Sequence, residues 1–486
     1  MNRQVILEKT TAGHRGAVLE EGKVQEWLLD DPDAPLKEGM IISGKIVNVL
    51  SSMDAAFIDV GLQKHGYLHK KEHPAHQRWK LNKEGKEPAI AQMLQTGGRI
   101  LVQVKKEAAG SKGPTLTMLL SIAGSYIIYM PFGGYTAISK KLDDETRDAF
   151  REAASSWCAE EEGLIVRTNA GSQEVDVLEK EFYHLRRKYE KMLEKFPAAP
   201  GTVFDDQSSA ASRVERDFLT DEKTIVKTND AALASDWKHQ GFTRQVEWRR
   251  ETDLFHKEGM DRELEKTLRP FVWMKNGSSL LIEQTEAMTV IDVNSSKFTG
   301  RGGSELAGTS FEVNKTAAAE IARQLRLRNI GGIIIIDFID MPKDHQRREV
   351  LQVLKEAAKN DRTITNVIGF TNLGYVEMTR KQSRKTLEQI LMKSCEACGG
   401  SGRILREEKL LEDMARTVTA LKDIEAVLIE AAPRLYRYVQ KQTEISFGDG
   451  PAVFLREKED AGGFLIARTG SIEELQDKGI RLKENN

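Results

Sequence analysis

Two apolar runs that each carry carboxylates constrain this chain more than any other feature. Thr289-Val290-Ile291-Asp292-Val293-Asn294-Ser295-Ser296 and Ile333-Ile334-Ile335-Ile336-Asp337-Phe338-Ile339-Asp340 are dense in β-branched residues and read as buried strands. Side chains alternate along a strand, so Asp292 and Asn294 share one face while Ile291 and Val293 turn to the core. On the same parity Asp337 and Asp340 point to opposite faces, provided that the strand stays regular. An unpaired carboxylate in such a run is costly, so the chain must pair it, protonate it or give it a metal.

Two carboxylates from neighbouring strands make a hard oxygen site suited to Mg²⁺ shared with substrate phosphates. Such an ion activates water and stabilises charge on a phosphodiester. Asn294 is placed to orient Asp292. The competing reading is structural: each Asp caps a strand end or pairs with a nearby arginine. The residues alone leave both open.

The chain has 486 residues, which at about 150 per domain allows roughly three domains. Its formal net charge is −2, and 30% charged against 40% hydrophobic residues excludes a mostly disordered chain or an ordinary membrane protein. The uncharged run Gly113–Ser139 is broken by Thr, Ser and the Pro131-Phe132-Gly133-Gly134 turn, so strands of a soluble domain explain it better than a membrane span. The apolar stretch near Met1 is too short for a signal peptide, and three cysteines exclude a disulfide framework and fit a reducing cytoplasm.

The mean charge hides local imbalance. Leu36–Ser125 holds 13 Lys/Arg against 7 Asp/Glu, and Lys343–Lys393 holds 11 against 6. Within the first of these, Ile41–Val49, Ala55–Gly61, Gly66–His69, Ile100–Val104 and Leu116–Ile122 read as five short strands, the pattern of a small closed barrel of the oligonucleotide-binding type. A polar, Lys-rich insertion at 74–96 interrupts it. Phe57 and Tyr67, flanked by Lys37, Lys45, Lys64 and Lys112, suit base stacking on single-stranded nucleic acid, with core packing as the alternative. The His69/His73/His76 spacing is metal-like, but the adjoining lysines and Pro74 indicate an exposed loop.

Farther along, Asp143–Glu162 and Val177–Phe196 read as helices around a strand at Gly163–Thr168. Leu280–Asn294 reads as two strands, Val313–Arg328 as a helix, Gly332–Asp340 as a strand, and Glu407–Leu428 as a helix. Thr299-Gly300-Arg301-Gly302-Gly303-Ser304 lacks the Lys-Ser/Thr ending of a nucleotide-binding loop and reads as a loop over a substrate channel or a surface turn. Cys395-Glu396-Ala397-Cys398-Gly399-Gly400-Ser401-Gly402 is a knuckle with two ligands where a closed zinc site needs four. Either distant residues or a second chain must complete it.

Taken in order, several segments resemble the ribonuclease E/G family of bacterial endoribonucleases, in its compact ribonuclease G type. They are Ala55–Gly61, His65–Leu68, Leu164–Thr168, Gln284–Asn294, Ile336–Met341 with His345-Gln346-Arg347, Val376–Arg380 and the CxxCxGxG knuckle. The resemblance runs from about Gly39 to Gly402, and more loosely to both ends.

It implies an α+β multidomain protein. An RNase H-like core (1–35 and 216–279) would carry an inserted S1 barrel (36–125), a 5′-sensor region (126–215), a DNase I-like catalytic subdomain (280–393), a zinc link (394–406) and a small C-terminal domain (407–486). By position, Asp292 and Asp337 would hold Mg²⁺ and Asn294 would orient Asp292. Phe57, Tyr67 and Lys112 would grip RNA, and Gly124, Arg167 and Thr168 would read a 5′-monophosphate. Cys395 and Cys398 would share one zinc with a partner protomer in a homodimer, with pairing into tetramers left open. The implied activity is Mg²⁺-dependent cleavage of single-stranded RNA to 5′-phosphate and 3′-hydroxyl ends, in RNA processing and decay. Departures fall in the sensor, where Asn169 follows Thr168, Ile128 replaces Val, and Ile364 stands where some members place a base. The long C-terminal degradosome scaffold of some members is not expected here. The alternatives are a non-catalytic S1-type RNA-binding protein and a metal-dependent DNase, since an acidic pair does not distinguish sugars.

Overall fold

The computed structural model describes residues 3–32, 36–83, 85–108, 112–295, 303–359, 361–382, 384–442, 445, 447, 450–459 and 462–482, with side chains of the 303–327 helix from 310 onward. The chain divides into two units, Met1–Ile390 and Leu391–Asn486.

In the first unit, strands Arg3–Thr10, Gly13–Glu20 and Lys23–Leu29 form an antiparallel meander. Strand Thr224–Thr228 pairs parallel to Arg3–Thr10, and Val246–Trp248 extends the sheet in parallel beyond it. Helices Ala210–Asp217 and Ala231–His239 pack against this sheet, burying Val214, Ala234 and Trp237 beside Val5, Leu7 and Leu28.

The second sheet closes on itself. Strands Ile41–Leu50, Ala55–Asp59, Gly66–His69, Thr115–Thr117 and Arg99–Lys106 neighbour one another in that order, and Arg99–Lys106 pairs back onto Ile41–Leu50. Gly66–His69 and Thr115–Thr117 are parallel while the other pairs are antiparallel. Ala56, Ile58, Leu68, Val102 and Leu116 fill the interior. Gly66 is required there, because a Cβ at that position would lie 2.4 Å from Leu116 Cδ1. The insertion at 74–96 supplies helices Pro74–Asn82 and Ile90–Met93, and Ile90 and Leu94 plug the core. This is a five-stranded barrel consistent with an S1-like oligonucleotide-binding domain.

The expected Leu116–Ile122 strand divides. Thr115–Thr117 stays in the barrel, and Ile122–Ala123 joins a third sheet with Ile127–Met130, Gly163–Val166 and Thr136–Ile138. The uncharged run thus becomes short strands in two sheets, and among the described residues no helix is long and apolar enough to cross a membrane. Helices Asp144–Trp157, capped by the Asp143 carboxylate on Thr146 N–H, and Val175–Glu194 cover the third sheet.

The fourth sheet orders Phe271–Trp273, Ser279–Gln284, Met288–Asn294, Gly332–Asp337, Val376–Arg380 and Thr365–Phe370. Only the central pair, Met288–Asn294 with Gly332–Asp337, is parallel. Helices Gly303–Leu327 and Asp344–Lys359 bury Ala317, Ile321, Leu325, Val350 and Leu354 against Ile291, Val293, Ile334 and Ile336. The alternate residues, including Asp292 and Asp337, therefore face away from those helices.

In the second unit, the fully buried strand Ala426–Ala431 lies between Phe464–Gly470 and Ala452–Glu457. The helix expected over Glu407–Leu428 ends at Thr419, and its last residues form part of this strand. Asp423, at φ +58°, turns the chain between the two.

Candidate active site

Parallel pairing puts Asp292 directly opposite Asp337. Both are half-buried at the C-terminal end of the central strand pair. The Asn294 carboxamide N–H donates to Asp292 Oδ2 at 2.7 Å, which fixes one oxygen and turns the carboxylate. Burial raises the Asp337 pKa first, and the negative charges of Asp292 and Asp340 raise it further. Strand pairing stops at Asp337, so the alternation that separated Asp340 from Asp337 no longer applies, and Asp340 acts on the same charge cluster.

What holds that turn is Asn314, which was not singled out in the sequence. It is fully buried on the Gly303–Leu327 helix, donates to Ile339 C=O at 2.7 Å and accepts from Ile339 N–H at 3.1 Å. A lone Asn among Val313, Ala317, Ala318 and Ile321 was the available signal. Arg347 Nε adds a bond to Met341 C=O at 2.8 Å. The Gly-rich segment's residues 299–302 lie outside the described residues.

On the barrel, Phe57 and Tyr67 are cross-strand partners with ring centroids 6.1 Å apart in an edge-on arrangement. Both are half-buried on the outer side, while their neighbours Ala56, Ile58 and Leu68 point inward. Tyr67 N–H donates to Pro114 C=O at 2.8 Å, so exposed Lys112 runs alongside the same strand. The two half-buried rings thus form one pair on the barrel's outer side, and exposed Lys112 lies in the segment leading into the neighbouring strand. The histidines nearby do local work: His69 and His73 each accept a backbone N–H, and His76 is buried rather than exposed, at 3.3 Å from Glu87.

At the third sheet, Arg167 and Thr168 line a cleft of about 1020 Å³ together with Asn169, Lys141, Lys223 and Arg362. Arg167 Nη1 donates to Gly124 C=O at 2.7 Å and Ser125 C=O at 3.2 Å. Burial pushes its pKa down, opposed by the charge of Asp217. Thr168 Oγ1 is 2.7 Å from Ser139 Oγ, and Asn169 Nδ2 donates to Ser125 C=O. Gly124 does not line this cleft; it acts on it only through the carbonyl that accepts from Arg167. A Cβ on Gly124 would sit 2.7 Å from the Glu181 carboxylate. That carboxylate accepts the N–H groups of Ser125, Tyr126 and Ile127 at 2.6, 2.9 and 2.9 Å, a clamp the sequence did not reveal. Burial raises the Glu181 pKa, against the pull of these donors. Ile364 is 67% exposed, and Arg362, two residues earlier, reaches the cleft instead.

In the second unit, Gly402 N–H donates to Cys398 Sγ at 3.3 Å, and the Gly402 and Gly400 N–H groups hold the Cys398 thiol below its usual pKa. Cys395 is exposed. Among the described residues, no group of three or more His, Cys, Asp or Glu side chains converges on a metal position.

Comparison with known proteins identifies a family. The Ribonuclease E/G family matches residues 121–383. Ribonuclease G of Escherichia coli K12 is 32% identical over 449 residues, 89% of this chain and 91% of that protein. Ribonuclease G of Haemophilus influenzae is 31% identical over 453 residues, covering 90% and 91%. Ribonuclease E of Escherichia coli K12 is 32% identical over 440 residues, 87% of this chain and 41% of that longer protein.

Proposed function

The chain belongs to the ribonuclease E/G family, and from that premise we propose a metal-dependent endoribonuclease that cuts single-stranded RNA to 5′-phosphate and 3′-hydroxyl ends. The observation that carries the reading is the register of Asp292 against Asp337, with Asn294 bonded to Asp292. Two facing carboxylates, with the Asp337 pKa raised by burial first and by like charges second, suit a divalent cation, and with two ligands on adjacent strands they suit Mg²⁺, which keeps several waters. When bound there, the ion supplies a nucleophilic water and charge for the leaving oxygen. Asn294 holds one Asp292 oxygen and leaves the other for the metal. Asn314 fixes the turn after Asp337, keeping the Asp340 charge beside the pair.

Phe57, Tyr67 and Lys112 would hold unpaired bases and a phosphate on the barrel, delivering single strands rather than duplexes. Arg167 and Thr168 would read a 5′-monophosphate, with Arg167 fixed by the Gly124 and Ser125 carbonyls. The meander followed by two parallel strands, with helices against them, supports an RNase H-like core into which the barrel and sensor are inserted. The fourth sheet with its two helices supports the DNase I-like assignment. Thiols with N–H donors at the knuckle fit zinc, and the shortage of ligands in one chain points to a partner protomer.

The test is cleavage of matched single-stranded RNA and DNA oligomers carrying 5′-monophosphate or 5′-hydroxyl ends, with Mg²⁺, by the native protein and by Asp292→Asn. Cleavage confined to RNA, faster with the 5′-monophosphate and lost in the variant, is expected. Undiminished cleavage by Asp292→Asn overturns the catalytic assignment and leaves the RNA-binding alternative.

A further inference from the structure

A second cleft, about 550 Å³, lies between the meander and the nuclease sheet, inside the first unit and apart from the carboxylate pair. Seven basic side chains line it against four acidic ones. Most of the charges are already matched. Arg3 is held by Glu20 and Asp221, Arg380 by Asp361, and Lys385 by Asp31. Asp217 is engaged by Arg216, and Glu26 by Arg213.

The surplus is concentrated in Arg384 and Arg326, beside Arg213, whose pair with Glu26 leaves one N–H open. Arg384 lines the cleft, is exposed to its solvent, and has no ion pair or side-chain hydrogen bond among the described residues. Desolvation by the neighbouring protein first, and the charge of Arg213 second, lower its pKa. Arg326 meets only neutral oxygens, Ala357 C=O at 3.3 Å and Gln25 Oε1 at 3.4 Å. Arg213 is 3% exposed, and its Nε–H has no acceptor. A buried N–H donor is ordinarily satisfied, and adjacent cations repel, so an anion placed among these three groups would meet an open donor and relieve that repulsion. Trp27, Phe218 and Leu327 supply an apolar wall, and the volume falls within the range of small-ligand sites.

We propose that this cleft binds a small phosphorylated anion, a free diphosphate or the diphosphate of a nucleotide, through Arg384, Arg326 and Arg213. Guanidinium forks match phosphate oxygens in shape as well as charge. Asp217, Asp361 and Arg362 also line the neighbouring cleft that holds Arg167 and Thr168, so an anion here would bear on the wall of that cleft.

Calorimetric titration of the full chain with inorganic pyrophosphate, ADP and adenosine, without added divalent metal, tests this. Expected are saturable binding of pyrophosphate at one per chain, and a loss of about tenfold to a hundredfold in affinity for Arg384→Met, the scale of one lost charge-assisted bond. Arg326→Met should weaken binding in the same direction. Arg167→Met should leave it unchanged, which separates this cleft from the 5′-end reading. ADP binding tighter than pyrophosphate identifies a nucleotide, and weaker ADP binding identifies the free anion. The proposal is overturned if pyrophosphate and ADP both fail to bind. It is also overturned if adenosine binds as well as ADP, if Arg384→Met binds like the native chain, or if Arg167→Met abolishes binding. Displacement of pyrophosphate by a 5′-hydroxyl single-stranded RNA would assign the cleft to RNA instead and overturn it too.

Discussion

Asp337 works against the fold where it stands. Burial and the charges of Asp292 and Asp340 raise its pKa, so in the folded chain ionisation costs more than in the unfolded one. The folded state therefore binds the proton more tightly, and stability falls as pH rises from the ordinary carboxylate range through the raised value. Asp337→Asn should accordingly raise the melting temperature of the metal-free protein at pH 7, with the gain shrinking as pH is lowered toward about 4. The same variant should lose more than about a hundredfold in RNA cleavage with Mg²⁺, since on the proposed reading it would remove a direct ligand. A variant that is both less stable and still active would place Asp337 among structural residues. Asn294 acts one step back, through its 2.7 Å bond to Asp292. Asn294→Ala should cost about 10–100-fold in activity, recovered in part at higher Mg²⁺, as expected of a residue that orients a ligand.

Segments set where these residues point, and only some of that setting is written locally. The β-branched runs around Asp292 and Asp337 made two strands readable, and alternation gave the shared face of Asp292 and Asn294, because both depend on neighbours in the chain. Where the second strand stops was not readable. It is fixed by Asn314, on the preceding helix, which satisfies both backbone groups of Ile339. Asn314→Ala leaves that pair without partners in the core and should destabilise by about 1–3 kcal/mol in chemical denaturation. Activity should fall along with stability as the Asp340 turn loosens. The helix expected to run to Leu428 failed for a related reason: its apolar pattern continues past Thr419, but the left-handed backbone at Asp423 turns it into a buried strand. That Arg167 and Thr168 line one cleft agrees with their grouping in the sequence, but Glu181, distant in sequence, was not legible, and its carboxylate gathers three consecutive N–H groups beside them. Glu181→Gln puts an amide donor against those donors and should narrow the rate difference between 5′-monophosphate and 5′-hydroxyl RNA, measured as kcat/KM.

A net charge of −2 coexists with a basic barrel, 13 Lys/Arg against 7 Asp/Glu from Leu36 to Ser125. RNA affinity should therefore fall steeply with salt, and Lys112→Ala should reduce the slope of log K against log salt by about 0.7, one released counterion on a single strand. The proposed zinc site at the knuckle would need more ligands than the described residues of one chain bring together. Cys395 and Cys398 lie three positions apart in the chain and offer two sulfurs, and the Gly402 and Gly400 N–H groups hold the Cys398 thiol below its usual pKa. A closed structural site takes four ligands, and on the proposed reading two chains would donate a pair each. Native mass measurement should then find one zinc per two chains. The Cys395→Ser, Cys398→Ser variant should lose both the metal and the tighter assembly, while its far-ultraviolet circular dichroism stays that of the folded chain. Zinc bound one per chain, or an assembly untouched by the double substitution, would mean that ligands within a single chain complete the site.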